Sequence, residues 1–212
     1  MADYEIQEFE LDDIIPALTT NVKEDIKTFE DLINLDGSLR REVYLYDITP
    51  GTGASVDGYI RFWNQYDEEK QIPIECREPI KLYIDSCGGS LDDTFTIIDS
   101  IQMSKTPIIA ICIGAAYSGG FFTFISAPTR IAYPHASFLF HEGATSTGGT
   151  AGQFENYAQF YKRQLEKLKD IVVKHTNITE EEYKEIKKDD IWYDVQEGIE
   201  KGFIDKVAEE FI

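Results

Sequence analysis

The octet AAYSGGFF (115–122) sets a serine between a tyrosine and two glycines, just ahead of large apolar residues. The run IIAICI (108–113) reads as a central strand, and FFTFISA (121–127) reads as a buried helix that begins near Gly119. Ser118 falls in the tight turn between them. Unpaired backbone N–H groups and the positive end of a helix dipole would favour an oxyanion there. Gly119 places no side chain beside an incoming substrate. The order strand, nucleophile, helix is that of hydrolases, without their G-x-S-x-G pattern. The other reading is that Ser118 simply caps a helix. The segment by itself leaves both open.

A serine hydroxyl is a weak nucleophile without a base. The chain has three histidines. His141 ends the apolar strand SFLFH, where the chain leaves the sheet, and is the candidate base; a satisfied core histidine is the alternative. His135 follows Pro134 in a turn and is expected in solvent. His175 lies near the end of a long helix, where a basic residue suits the dipole. The base needs a carboxylate to fix its tautomer, and spacing selects none of the 39 acids. The pair Gly88-Gly89 follows a strand and precedes a capped helix. Such a turn aims N–H groups at an anion, as an oxyanion hole requires. It matches neither nucleotide-binding glycine pattern, and a plain tight turn is the competing reading.

The elements that must position these residues alternate. Strands are expected at 42–48, 80–85, 108–113, 131–133 and 137–141. A helix over 56–66 follows the turn TPGTG, and another opens at Ser90, with Asp93 three residues on and a stripe of Leu91, Phe95, Ile98 and Ile101. Residues 153–173 give the clearest helix: Phe154, Ala158, Tyr161, Leu165, Leu168 and Val172 form the seam of a helix that packs on another. Thr179 and Glu182 make a capping box for one more. This alternation predicts an α/β domain with right-handed crossovers.

Composition narrows the class. The 212 residues suit one domain. Residues 1–35 read as an acidic N-terminal arm or gating segment ahead of a domain over 36–212. The net charge of −19 argues against nucleic acid and anionic membrane as partners. No stretch approaches the ~20 apolar residues of a membrane span. The first residues lack the features of a signal peptide, so a cytoplasmic location is expected. Three cysteines without C-x-x-C spacing predict neither a disulfide framework nor a metal site.

In this order the pieces resemble the proteolytic subunit of the Clp protease, the ClpP family of self-compartmentalised serine peptidases. IKLYIDSCGGS resembles the family's YLYINSPGGS, ICIGAAYSGG its ICIGQAASMGA, and SFLFHE its RVMIHQ. The run from Lys174 to Val207 resembles the family's C-terminal stretch. The likeness covers about residues 80–208 well, 42–79 loosely and the first 35 not at all. It implies a ClpP/crotonase-like α/β fold of repeated β-β-α units, with 153–173 as a protruding handle helix. It also implies a triad of Ser118, His141 and Asp190, with backbone N–H groups of Gly89 and Gly119 as the oxyanion hole. The Gly-rich stretch 143–152, with Gly148 and Gly149, would pair with substrate backbone.

The resemblance further implies a homo-oligomer of stacked heptameric rings, unfolded polypeptide as substrate, and a hexameric AAA+ unfoldase as partner. The chain itself would need no cofactor, and ATP would belong to the unfoldase. The departures are Cys87 for proline, Gly119 for methionine, and Glu142-Gly143 for Gln-Pro. These predict a less rigid Gly-Gly turn, a looser oxyanion donor, and a carboxylate that either acts on His141 or faces solvent. The alternatives are a catalytically silent ring subunit and a crotonase-like protein that holds acyl-CoA.

Overall fold

A computed structural model describes residues 40–212. The expected arm over 1–35 and the expected domain start at 36 lie outside the described residues.

Strand β1 (Glu42–Leu45) is followed by helix α1 (Thr52–Glu69), β2 (Ile80–Ser86), α2 (Leu91–Met103) and β3 (Ile108–Tyr117). Next come α3 (Gly119–Ile125), β4 (Thr129–Ala132), β5 (Ser137–Phe140) and the long α4 (Ala151–His175). The described chain closes with α5 (Glu180–Ile186), β6 (Ile191–Tyr193), α6 (Val195–Glu200) and β7 (Lys206–Val207). The sheet runs β1-β2-β3-β4-β7, with β5 also on β3 and β6 on β5. Every pairing is parallel except β5 with β6. This is the mixed α/β architecture that the resemblance implied.

Strand β3 is longer than its sequence suggests. GAAY reads as a turn, yet it continues the strand, because Ala115–Tyr117 pair with Ser137–Leu139 of β5. The first half of β3 instead pairs with β4. A register shift between Ile84 and Ser86 on the other side marks the change, and such an irregularity bends and twists a strand locally. One strand thereby carries two neighbours in succession, and its far end meets β5 where the candidate residues lie.

Helix α3 is buried along all seven residues, which explains a segment apolar on every side. Phe121 meets Phe140 and Phe203 edge-on, and Phe138 packs on Phe124 and Phe203. Each fully buried phenylalanine contributes roughly 2–3 kcal/mol. This cluster fixes α3 against β5, and with it the turn between β3 and α3.

Helix α2 buries Ile97, Ile98 and Ile101 with Thr94 and Ser100, while Leu91 and Phe95 are only partly covered. The buried face is thus rotated from the expected stripe. Helix α1 gains a turn over expectation because Asp93 Oδ1 accepts the N–H groups of both Gly51 and Gly53, each at 2.9 Å. In α4, Leu168 and Val172 are core, whereas Phe154 is 58% exposed. The seam read from the sequence is core only in the C-terminal half of the helix.

Candidate active site

Ser118 is the single residue between β3 and α3, with φ 53° and ψ −119°. Few non-glycine residues adopt positive φ, and holding one there costs on the order of 1–3 kcal/mol. The Ser118 N–H donates to the Leu139 carbonyl at 2.9 Å, and the Phe122 N–H donates to the Ser118 carbonyl at 3.2 Å. The side chain makes no capping hydrogen bond. The hydroxyl is therefore not serving the helix, as the capping reading required. It lines a cleft of about 690 Å³.

The same cleft is lined by His141, one residue beyond the end of β5. Asp190 comes one residue before β6. Because β5 and β6 are antiparallel and Phe140 pairs with Ile191, the next residues outward, His141 and Asp190, face each other. Asp190 Oδ1 lies 3.3 Å from His141 Nδ1. Strand register alone thus brings the carboxylate to the imidazole, which leaves Nε2 as the nitrogen for proton exchange. Among the described residues no hydrogen bond joins the Ser118 hydroxyl to the imidazole. Such bonds are often long before substrate binds.

The Gly88-Gly89 turn packs on the serine. A Cβ on Gly88 (φ +90°) would stand 2.7 Å from the Gly119 nitrogen and 2.8 Å from Ser118 Cβ. A Cβ on Gly89 (φ +145°) would meet the Ile48 carbonyl oxygen at 2.1 Å. Both contacts are with backbone or a β-carbon, so the two glycines are sterically required. The Ile48 N–H donates to Gly88 O and the Ser90 N–H to Ile48 O, which turns the Gly89 N–H away from Ile48. The N–H groups of Gly89 and Gly119 have no acceptor among the described residues. They lie close together, since a Cβ built on Gly119 would be 3.5 Å from the Gly89 nitrogen and 2.5 Å from Thr94 Oγ1. Gly119 is buried in a tight fit, with no room for a larger residue in this arrangement.

Residues 141–150 carry no regular secondary structure. From 142 to 149 no backbone N–H has an acceptor among the described residues. Gly143, Ala144 and Thr145 line the cleft, whereas Gly148 and Gly149 do not. Gly149 precedes the reciprocal cap of α4 made by Thr150 and Gln153. Glu142 is occupied away from His141: Oε1 accepts from the Tyr183 hydroxyl at 3.0 Å and lies 3.7 Å from Lys187 Nζ. Burial beside this carboxylate pushes the Tyr183 hydroxyl far up from its ordinary value. His135 is exposed, as expected. His175 sits in the last turn of α4, but its Nε2 is buried without a partner, and burial lowers its pKa.

Sequence reading missed one wall of the cleft. Tyr157, Phe160, Tyr161, Gln164 and Leu168 of α4 line it together. Their spacing of three and four residues was legible, but it merges with the seam at Tyr161 and Leu168. Cys87 is exposed and lines the same cleft. Among the described residues no cluster could hold a metal ion, and no helix is long and apolar enough to cross a membrane.

The family model described as "Clp protease" matches residues 73–211. The chain is 30% identical over 131 residues to "ATP-dependent Clp protease proteolytic subunit 2" of Rhodococcus jostii, covering 61% of this chain and 67% of that protein. It is 28% identical over 137 residues to the protein of the same name in Treponema denticola, covering 64% and 68%.

Proposed function

Because this chain belongs to the Clp protease family and is a serine-type peptidase of that kind, we propose that it cleaves peptide bonds with Ser118, His141 and Asp190 as its triad. The observation that carries this assignment is that Ser118 and His141, each just past the C-terminal end of its strand, line one cleft, while Asp190, just before the antiparallel β6, sets its carboxylate 3.3 Å from the imidazole.

Ser118 Oγ attacks the peptide carbonyl while His141 Nε2 takes its proton. Asp190 holds the ring with Nδ1–H toward itself and stabilises the imidazolium. The tetrahedral oxyanion is met by the N–H groups of Gly89 and Gly119, each such donor being worth roughly 10²–10³ in rate. His141 returns the proton to the leaving amine, and the acyl-serine is hydrolysed by water along the same path. The positive φ at Ser118 holds the hydroxyl out of helix capping and available for attack, a use of backbone strain found at active sites.

The unpaired backbone of 142–149 supports recognition of an extended substrate by added strand pairing. A longer substrate would run from Gly143 toward Gly148 and Gly149. Such pairing reads main chain rather than sequence, which suits unfolded polypeptide. In the same reading the chain assembles into stacked rings, with the uncovered half of α4 against another subunit. An ATP-driven unfoldase feeds the chamber, and the chain itself needs no cofactor.

The test is a fluorophosphonate probe applied to size-fractionated protein. The parental chain is expected to label at Ser118 in a high-mass assembly and to cleave fluorogenic peptides. Ser118→Ala should lose both. Cleavage at the parental rate by Ser118→Ala would overturn the assignment.

A further inference from the structure

The α4 wall of the cleft is aromatic and aliphatic apart from Gln164. This residue is 7% exposed, yet its carboxamide has no hydrogen-bond partner among the described residues. Its polar atoms are not sealed off and reach the cleft. Leu139, Phe122 and Leu168 line the same cleft as Ser118 and His141, together with Asp92 and with Ser90, Thr94, Glu142 and Thr145, whose side chains already bond within the protein, as the Gln164 amide does not.

A carboxamide offers two donors and one acceptor oxygen. In the open cleft, water can satisfy them. When a substrate side chain fills the space, the water leaves, and the amide needs a replacement. A leucine side chain supplies none. A glutamate supplies an acceptor alone and a lysine a donor alone. A second carboxamide supplies both: its NH2 donates to the Gln164 carbonyl, and its carbonyl accepts from the Gln164 NH2. Its aliphatic stem lies against the leucines.

On the basis of the Ser118 assignment, we infer that Gln164 is a specificity-determining residue that selects glutamine or asparagine at the substrate position whose carbonyl is attacked. Buried hydrogen-bonding groups are strong discriminators, because a mismatched substrate leaves them unpaired. Gln164 is one flexible residue, so the preference is set at about 10- to 100-fold, well below the ~10⁴-fold of a rigid site.

The experiment uses the full chain and quenched peptides that differ only in the residue before the scissile bond: Gln, Leu or Glu. Cleavage position is verified by mass spectrometry and kcat/KM is measured for each. The parental enzyme should favour Gln over Leu by about 10- to 100-fold. Gln164→Leu should reverse that order, and Gln164→Glu should give an intermediate ratio. A general structural role would lower all rates together and leave the ratio alone.

A parental enzyme that cuts the Leu peptide as well as the Gln peptide overturns the inference, as does an unchanged ratio in Gln164→Leu. In either case Ser118 labelling persists and the triad assignment stands. Absence of both cleavage and labelling overturns the two together. If Gln164→Leu fails to fold, the parental and Gln164→Glu ratios decide.

Discussion

Replacing Asp190 by alanine tests how far the triad depends on a carboxylate that is largely in solvent. The side chain is 64% exposed, its partner His141 29%, and the contact is 3.3 Å. At that separation an imidazolium–carboxylate pair is worth about 5 kcal/mol at an effective dielectric of ~20 and just over ~1 kcal/mol in bulk water. Half-exposed geometry falls between these limits, at about 2–3 kcal/mol, most of it gained only when the ring is charged in the transition state. At ~1.4 kcal/mol per tenfold, Asp190→Ala should lower kcat/KM about 30- to 150-fold. Asp190→Asn should be at least as harmful, since its amide can hold the wrong tautomer.

Stability should hardly change, because exposed pairs contribute about 0–1 kcal/mol. A Tm shift of more than ~4 °C would contradict that part. The assay is kcat/KM on a fluorogenic peptide, with Asp189→Ala as the neighbouring-charge control, expected within about twofold of the parent. A full-rate Asp190→Ala enzyme, or an equal loss in the control, would refute the reasoning.

Gly88→Ala should reduce peptidase activity by about 100-fold or more, because its methyl would displace the Ser118 turn by a fraction of an ångström; retention of full activity with a normal crystal or spectroscopic fold would refute it. Asp67, fully buried, accepts from the Arg41 guanidinium and the Thr106 hydroxyl, and the Arg41 bonds hold its carboxyl below the usual range. A depressed folded pKa adds stability above the unfolded value of ~3.9, and that stability is lost as pH falls through the folded value. Asp67→Asn should therefore lower urea stability at pH ~7 by roughly 2–4 kcal/mol, by leaving buried Arg41 with only the exposed Glu78 carboxylate, 3.7 Å away, as counter-charge, and the gap from the parent should narrow near pH ~3. A maleimide should modify exposed Cys76 and Cys87 in the native protein but spare Cys112, whose burial pushes the thiol up to about 12. Peptide mapping reads this, and modification at Cys87 should block the cleft and hydrolysis.

Several elements were legible because the local signal and the final packing agree. Strand 80–85, the Ser90 cap and the buried run after Gly119 fall where propensity and period place them. The misses share a cause. GAAY looks like a turn to any local rule, and β5 makes it a strand. The start of α1 carries no cap of its own, and Asp93 of another helix supplies one.

For the site, the sequence determined the chemical types: a serine in a small-residue junction, a histidine at a strand end and a paired-glycine turn. It also determined, through resemblance, which acid to consider. What it left open was whether Ser118 caps a helix or opens onto a cleft, and which residues wall that cleft. Tertiary structure decided both. The left-handed backbone at Ser118 is held by β5 and by Gly88, and antiparallel register sets Asp190 opposite His141. Pairing between distant strands is a property of the assembled sheet, and no residue-by-residue preference encodes it.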